Sequence, residues 1–220
     1  MSEELALFPL SSVVLFPRVR TPLHVFETRY RQLTEHALAG DRHVGMVMAH
    51  PDHVAEMPGD PPVCRIGCAG IISQAQRLPD GRFHILLDGA YRFRIVEEPP
   101  RRSGLLYRVA YAERLAEPYD PSERGRVAEL RTRVLGLVGR LLTAADRARA
   151  HAFGPDLFAG MDDETFVNTL ANALALAGPE KQGLLEAGGV PARFERLEGL
   201  LAFRVAEVGL PGTRPPSRLH

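Results

Sequence analysis

The chain has 220 residues, 45% of them hydrophobic and 25% charged, the balance of an ordinary globular protein with apolar material for one large core or two modest ones. Its 27 basic residues equal its 27 acidic ones, so no net positive field argues for nucleic acid or an anionic membrane as partner. No apolar run reaches the roughly 18 residues of a spanning helix. The opening MSEELALFPL has neither the basic nor the long apolar region of a secretory signal, and Cys64 and Cys68 alone make no disulfide framework, so a soluble cytoplasmic protein is expected.

In chain order, two Phe-Pro pairs (Phe8-Pro9 and Phe16-Pro17) bracket the apolar run Val13-Val14-Leu15. Proline lacks an N–H and fixes φ, so it belongs at the end or edge of a strand. The stretch therefore reads as two short strands joined by a tight crossing at Arg18-Val19-Arg20. A helix then opens near Glu27, with Tyr30, Leu33, Ala37 and Leu38 on one face and Gly40 as its stop. Residues 44–48 read as a buried strand, and the Pro-, Asp- and Gly-rich 51–62 as a surface loop. Residues 67–78 lead into the turn Leu78-Pro79-Asp80-Gly81 and a returning strand, 82–87. Asp88-Gly89-Ala90 predicts another turn. Next, 91–96 alternates with Tyr91, Phe93 and Ile95 on one face and Arg92 and Arg94 on the other, a half-buried strand. Residues 99–104 make a loop and 105–114 one more strand.

The period then changes. Asp120, Pro121 and Glu123 make a helix start, and Val127, Leu130, Val134, Leu137 and Leu141 line one face of the helix that follows. A second helix starts at Asp162-Asp163-Glu164 and stops at Gly178-Pro179. Helical pattern resumes over 180–187, breaks at Gly188-Gly189 and returns from Pro191 to about Ala206. The expectation is an α+β protein: an irregular antiparallel, β-barrel-like domain with one helix over 1–117, an all-α helical bundle over 118–208, and a disordered tail over 209–220.

The string LFPL, VVLFP, PL, VFE and RY between Leu7 and Tyr30 closely resembles the opening of the Lon substrate-binding domain. Further points of likeness are Gly67, Ala69 and Ile71, the Leu-Pro-Asp-Gly turn, and Gly89 with Arg92-Phe93. Lys181-Gln182 with Leu184-Leu185-Glu186 resembles the family's Lys-Gln-x-Leu-Leu-Glu pattern. The resemblance covers roughly residues 5–206. It implies a barrel-like domain followed by a helical bundle, a tight turn at Gly89, Phe93 in the barrel interior and Lys181 on an exposed helix surface. It also implies a free-standing substrate-binding module without ATPase or peptidase domains.

Little in the chain points to catalysis. Lys181 is the one lysine, and it is followed by Gln182. The phosphate-cradling G-x-x-x-x-G-K-[ST] loop is therefore absent, and a Ser-Lys dyad has only that residue to use. G-x-S-x-G is absent too. His50 and His53 with Cys64 and Cys68 supply four metal-ligand types, but residues four apart on a strand are about 13 Å apart, too far to share an ion. A histidine loop with one or two buried thiols is the expectation, with no metal and no cofactor. Arg101, Arg102 and Arg108 around Tyr107 form a small basic patch that Glu97, Glu98 and Glu113 balance.

The sequence therefore points to a non-enzymatic module that binds unfolded or flexible polypeptide, possible contacts being the loop Arg18, Val19 and Arg20 and the barrel side near Tyr107. The alternatives are an adaptor docking on a separate protease or chaperone, and a small hydrolase with an unrecognised site. Neither nucleic acid nor a membrane is an expected partner.

Overall fold

A computed structural model describes residues 2–57, 59–145, 158 and 160–209. The expected tail lies, from 210 on, outside the described residues. Two compact units emerge: Met1–Glu117 with Val167–Glu186, and Pro118–Phe166 with Ala187–His220. The helical stretch 167–186 thus groups with the β-rich segment.

The β-rich unit holds β1 (Glu3–Leu10), β2 (Arg20–Val25), α1 (Thr28–Ala39), β3 (His43–Met48), β4 (Ile66–Arg77), β5 (Phe83–Glu97) and β6 (Arg108–Arg114). Helix α3 (Asp163–Ala173) enters it after Phe166, and α4 (Gly178–Leu185) follows. The strands run β2-β5-β4-β3-β1-β6, and β5 also pairs with β6, so five of them close a ring of hydrogen bonds with β2 outside it on β5. One pair, β1 with β3, is parallel and the others are antiparallel. Phe93 is fully buried at the centre of the ring among Leu5, Leu7, Val47, Ala69, Ile95, Ala110 and Ala112.

Both strand prolines sit where only one side of the strand is paired. Pro22 lies on the edge strand β2, and Pro9 lies beyond the part of β1 that pairs with β6, so neither missing N–H breaks a ladder. The apolar run Val13-Val14-Leu15 is not the strand expected of it. It is an irregular segment whose Val14 and Leu15 are buried.

Gly89 is no turn either. Strand β5 runs straight through it, with a register shift against β4 between Ala69 and Gly70. A Cβ on Gly89 would lie 2.0 Å from the Phe16 carbonyl oxygen. The glycine exists for close approach: the Arg18 N–H donates to its carbonyl at 2.8 Å, and its own N–H donates to Val19 at 2.9 Å.

Arg92, expected in solvent, is 3% exposed. It does point away from Phe93, as alternation requires, but that side of the strand is covered. Its guanidinium pairs with Glu117 and donates to the carbonyls of Leu185 at 2.8 Å and Ala116 at 3.2 Å. Gln182 donates to the Ile66 carbonyl at 2.9 Å, and Leu184 and Leu185 are buried. The Lys-Gln-x-Leu-Leu-Glu stretch thereby fastens α4 to the strands. Lys181 is half-buried rather than exposed: Nζ donates to the Asn172 carbonyl at 2.6 Å, near the end of α3, and burial lowers its pKa.

In the helical unit a single turn (Pro121–Glu123), capped by Asp120, precedes α2 (Arg124–Ala145), which packs on α5 (Val190–Gly209). Val127, Leu130, Val134, Leu137 and Val138 of α2 are buried, as are Phe194, Leu197 and Leu201 of α5. Phe166 stacks on Phe194 with centroids 5.7 Å apart, and the Arg131 guanidinium lies 4.1 Å from the Phe166 ring.

Two substitutions test these constraints. Gly89→Ala should lower the unfolding free energy by about 3 kcal/mol, since the opposing atom is backbone and cannot swing aside. Arg92→Leu should cost about 3 kcal/mol by stranding Glu117 and two carbonyls. Urea unfolding followed by far-UV circular dichroism reads both, and an unchanged midpoint would contradict either assignment.

Candidate functional site

The expected contacts fall in two places, with only part of each exposed. In the loop before β2, Arg18 is exposed in a left-handed conformation (φ 62°), while Val19 is 7% exposed and so presents no free side chain. Arg20 is exposed and forks onto Asp88, Nε to Oδ1 at 2.7 Å and Nη2 to Oδ2 at 3.1 Å. Buried Asn168 donates to the Pro17 carbonyl at 3.0 Å, so the loop is fixed from both β5 and α3. Tyr107, expected on an exposed side, is 8% exposed, and its hydroxyl lies 2.9 Å from His36 Nδ1 on α1. Burial, and then the Glu4 charge, raise its pKa, with Arg102 opposing.

The exposed neighbour of Tyr107 is Leu106, 44% accessible, on the rim of an open groove of about 620 Å³ at the amino end of α1. An adjoining hollow of about 370 Å³ shares Asp60 and Arg101 with it and is lined further by Glu98, Pro99 and Arg108. Arginine forks build the walls. Arg29 donates to Glu27 at 2.9 Å and to the carbonyls of Gly59 and Met57 at 2.6 and 2.7 Å. Arg108 donates twice to Glu98, at 2.8 and 2.7 Å, and once to the Pro61 carbonyl at 2.6 Å. Arg101 pairs with Asp60. Gln32 of α1 ties down the loop carrying Leu106, donating to the Gly104 carbonyl at 2.9 Å and accepting from the Leu106 N–H at 2.7 Å. Phe26, 60% exposed, directly precedes Glu27 of the groove. The sequence had no local signal for this groove, because its walls come from segments about 30 and 75 residues apart that only the fold assembles.

Leu106 stands in solvent beside a rim of matched charges, and among the described residues no serine, cysteine, histidine or lysine lines either hollow. The expected basic patch is neutralised pair by pair, Arg101 with Asp60, Arg102 with Glu4 and Arg108 with Glu98. Among the described residues, no group of three or more His, Cys, Asp or Glu is placed to hold one ion. His53 is engaged by Glu56 at 2.7 Å, and Cys68 is buried. No helix among the described residues is long and apolar enough to cross a membrane.

A five-stranded ring with an added edge strand, in a chain that also has a helical unit, is a fold already known. It matches the N-terminal domain of the Mycobacterium avium complex Lon protease at a TM-score of 0.68 and 16% identity, covering 91% of this chain and 98% of that one. It also matches a Lon N-terminal domain protein from Xanthomonas campestris at a TM-score of 0.58 and 23% identity, covering 91% and 98%. The family model for the ATP-dependent protease La (LON) substrate-binding domain matches residues 4–202, and the chain belongs to that family. Among curated proteins it resembles the Lon proteases of Trichlorobacter lovleyi (29% identical, 91% of this chain and 24% of that protein) and Azorhizobium caulinodans (23%, 94% and 23%). The chain thus spans about a quarter of the length of these relatives.

Beneath the groove, the Tyr30 hydroxyl donates to the Pro9 carbonyl at 3.0 Å. Burial pushes its pKa from 10.0 up to about 12, with Arg29 opposing. The folded state therefore keeps a proton that the unfolded chain releases. The stability this contributes is complete below pH about 10 and is lost as pH climbs through about 12. Tyr91, Tyr107 and Tyr119 are raised too. Denaturation across pH 9–12 should show stability falling over that window, less steeply in Tyr30→Phe. An equal slope in the two proteins would count against the buried tyrosine.

Proposed function

We propose that this protein is a non-catalytic module that recognises unfolded or flexible polypeptide, in the service of protein quality control. The observation that carries the reading is the match of residues 4–202 to a substrate-binding domain. The groove supports it: Leu106 on its rim and Phe26, exposed just before the lining residue Glu27, offer apolar side chains, and the surrounding arginine–carboxylate forks offer polar partners to a peptide backbone. Arg18 and Arg20, exposed at the start of β2, form a second contact in this proposal. The absence of a P-loop and of any lysine but Lys181 accords with a role in recognition alone.

The test is fluorescence anisotropy with a labelled, permanently unfolded polypeptide and a folded control. Saturable binding in the range of about 1–50 μM to the unfolded chain alone is expected, equivalent to roughly −6 to −8 kcal/mol. Phe26→Ser combined with Leu106→Ser should weaken it by about tenfold without shifting the unfolding midpoint, because both side chains are already exposed. No binding at 100 μM would instead favour an adaptor that meets a folded protease or chaperone.

A further inference from the structure

We propose that His24 and His84 form a binding site for one divalent transition-metal ion of the class that imidazole takes up, Cu2+, Ni2+ or Zn2+. The pairing of β2 with β5 sets the two residues directly opposite each other, and their ring centroids are 4.9 Å apart. A metal held by one nitrogen of each ring, at about 2.0–2.1 Å, places the rings behind those nitrogens about 5 Å apart. The observed separation of 4.9 Å, with the rings at 69°, puts the two imidazoles within reach of one ion by rotation about their side-chain bonds.

Three features distinguish this pair from the other histidines among the described residues. The first is availability. His36 is engaged by Tyr107, His43 by Asp41, His50 by Asp52 and His53 by Glu56. Among the described residues the side chains of His24 and His84 make no hydrogen bond or ion pair, and the ring contacts of His24 are with His84 and Phe26. The second is access, since both side chains are exposed, on the face that β2 turns to solvent with Pro22 and Phe26. The third is rigidity. The Arg20–Asp88 fork locks the register along the same ladder, and β4 backs β5 with Gln76 opposite His84. The His-x-x-His at His50 and His53, by contrast, rides a short 3-10 segment with its rings 5.8 Å apart.

With two imidazoles from the protein, water completes the coordination sphere, and affinity follows the general order for nitrogen ligands, Cu2+ tightest, then Ni2+ and Zn2+. Mg2+ and Ca2+, which require oxygen ligands, have no partner here. The proposal is independent of polypeptide binding, and its test uses metal salts alone.

Isothermal titration of the full chain with CuCl2 and ZnCl2 reads the site directly. The expected result is one site of micromolar affinity, weakened at least tenfold in His24→Ala and equally in His84→Ala, and unchanged in His50→Ala/His53→Ala. Each variant removes a single exposed ring, so the fold, followed by circular dichroism, is expected to persist. NMR of the imidazole protons gives a second reading: metal should shift both rings in the parent protein and leave the His84 ring unshifted in His24→Ala. Undiminished affinity in either single variant, or loss in the His50/His53 variant instead, would overturn the proposal.

Discussion

The β-rich unit depends on one close approach, that of the Phe16 carbonyl to Gly89 of β5. Strand β5 pairs with β2, β4 and β6, so whatever holds β5 in place holds most of the strands. Any side chain at position 89 would push the 16–19 segment away and take with it Phe16, the start of β2 and the bond from Asn168 to Pro17. A few residues further along the same strand, Arg92 turns outward and gathers Ala116, Glu117 and Leu185. One strand thus organises an edge strand on one side and a docked helix on the other.

The groove at the start of α1 is framed on a different principle. Its walls are arginine forks, each already matched to a carboxylate or to backbone carbonyls. The exposed Arg101–Asp60 pair contributes little to stability by itself, while Arg29 and Arg108 are largely covered. What the forks supply is geometry, because a planar guanidinium with several donors fixes two or three segments at once, which a lysine ammonium does not. With one lysine in the whole chain, this protein does nearly all such work with arginine.

Elements with strong local signals were legible in the sequence: α1, the amphipathic α2 and the hairpin turn over residues 78–81, while Phe93 as an interior residue came from the family resemblance. What was hidden depended on remote partners. Alternation put Arg92 on the face opposite Phe93, which is where it points, but it carried no information that a helix more than 90 positions later covers that face. Gly89 looked like a turn because glycine after aspartate usually is one, whereas its purpose lies in a carbonyl on a distant segment. Val13-Val14-Leu15 has strand composition, but its flanking prolines leave it a buried irregular segment. Val19 and Tyr107 were expected as contacts, and the fold buries both, leaving Leu106 as the exposed neighbour of Tyr107.

The separations of the bonds that fasten α3 and α4 to the strands are large: 93 residues from Arg92 to Leu185, 116 from Ile66 to Gln182 and 151 from Pro17 to Asn168. During synthesis the first 117 residues leave the ribosome long before these partners exist. At roughly 5–20 residues per second, about 5–30 s pass before Leu185, Gln182 and Asn168 can reach the Arg92, Ile66 and Pro17 groups they bond. The β-rich unit is therefore completed from the far end of the chain, and a nascent chain stalled before Gln182 leaves that surface open to solvent, to chaperones or to another copy of itself.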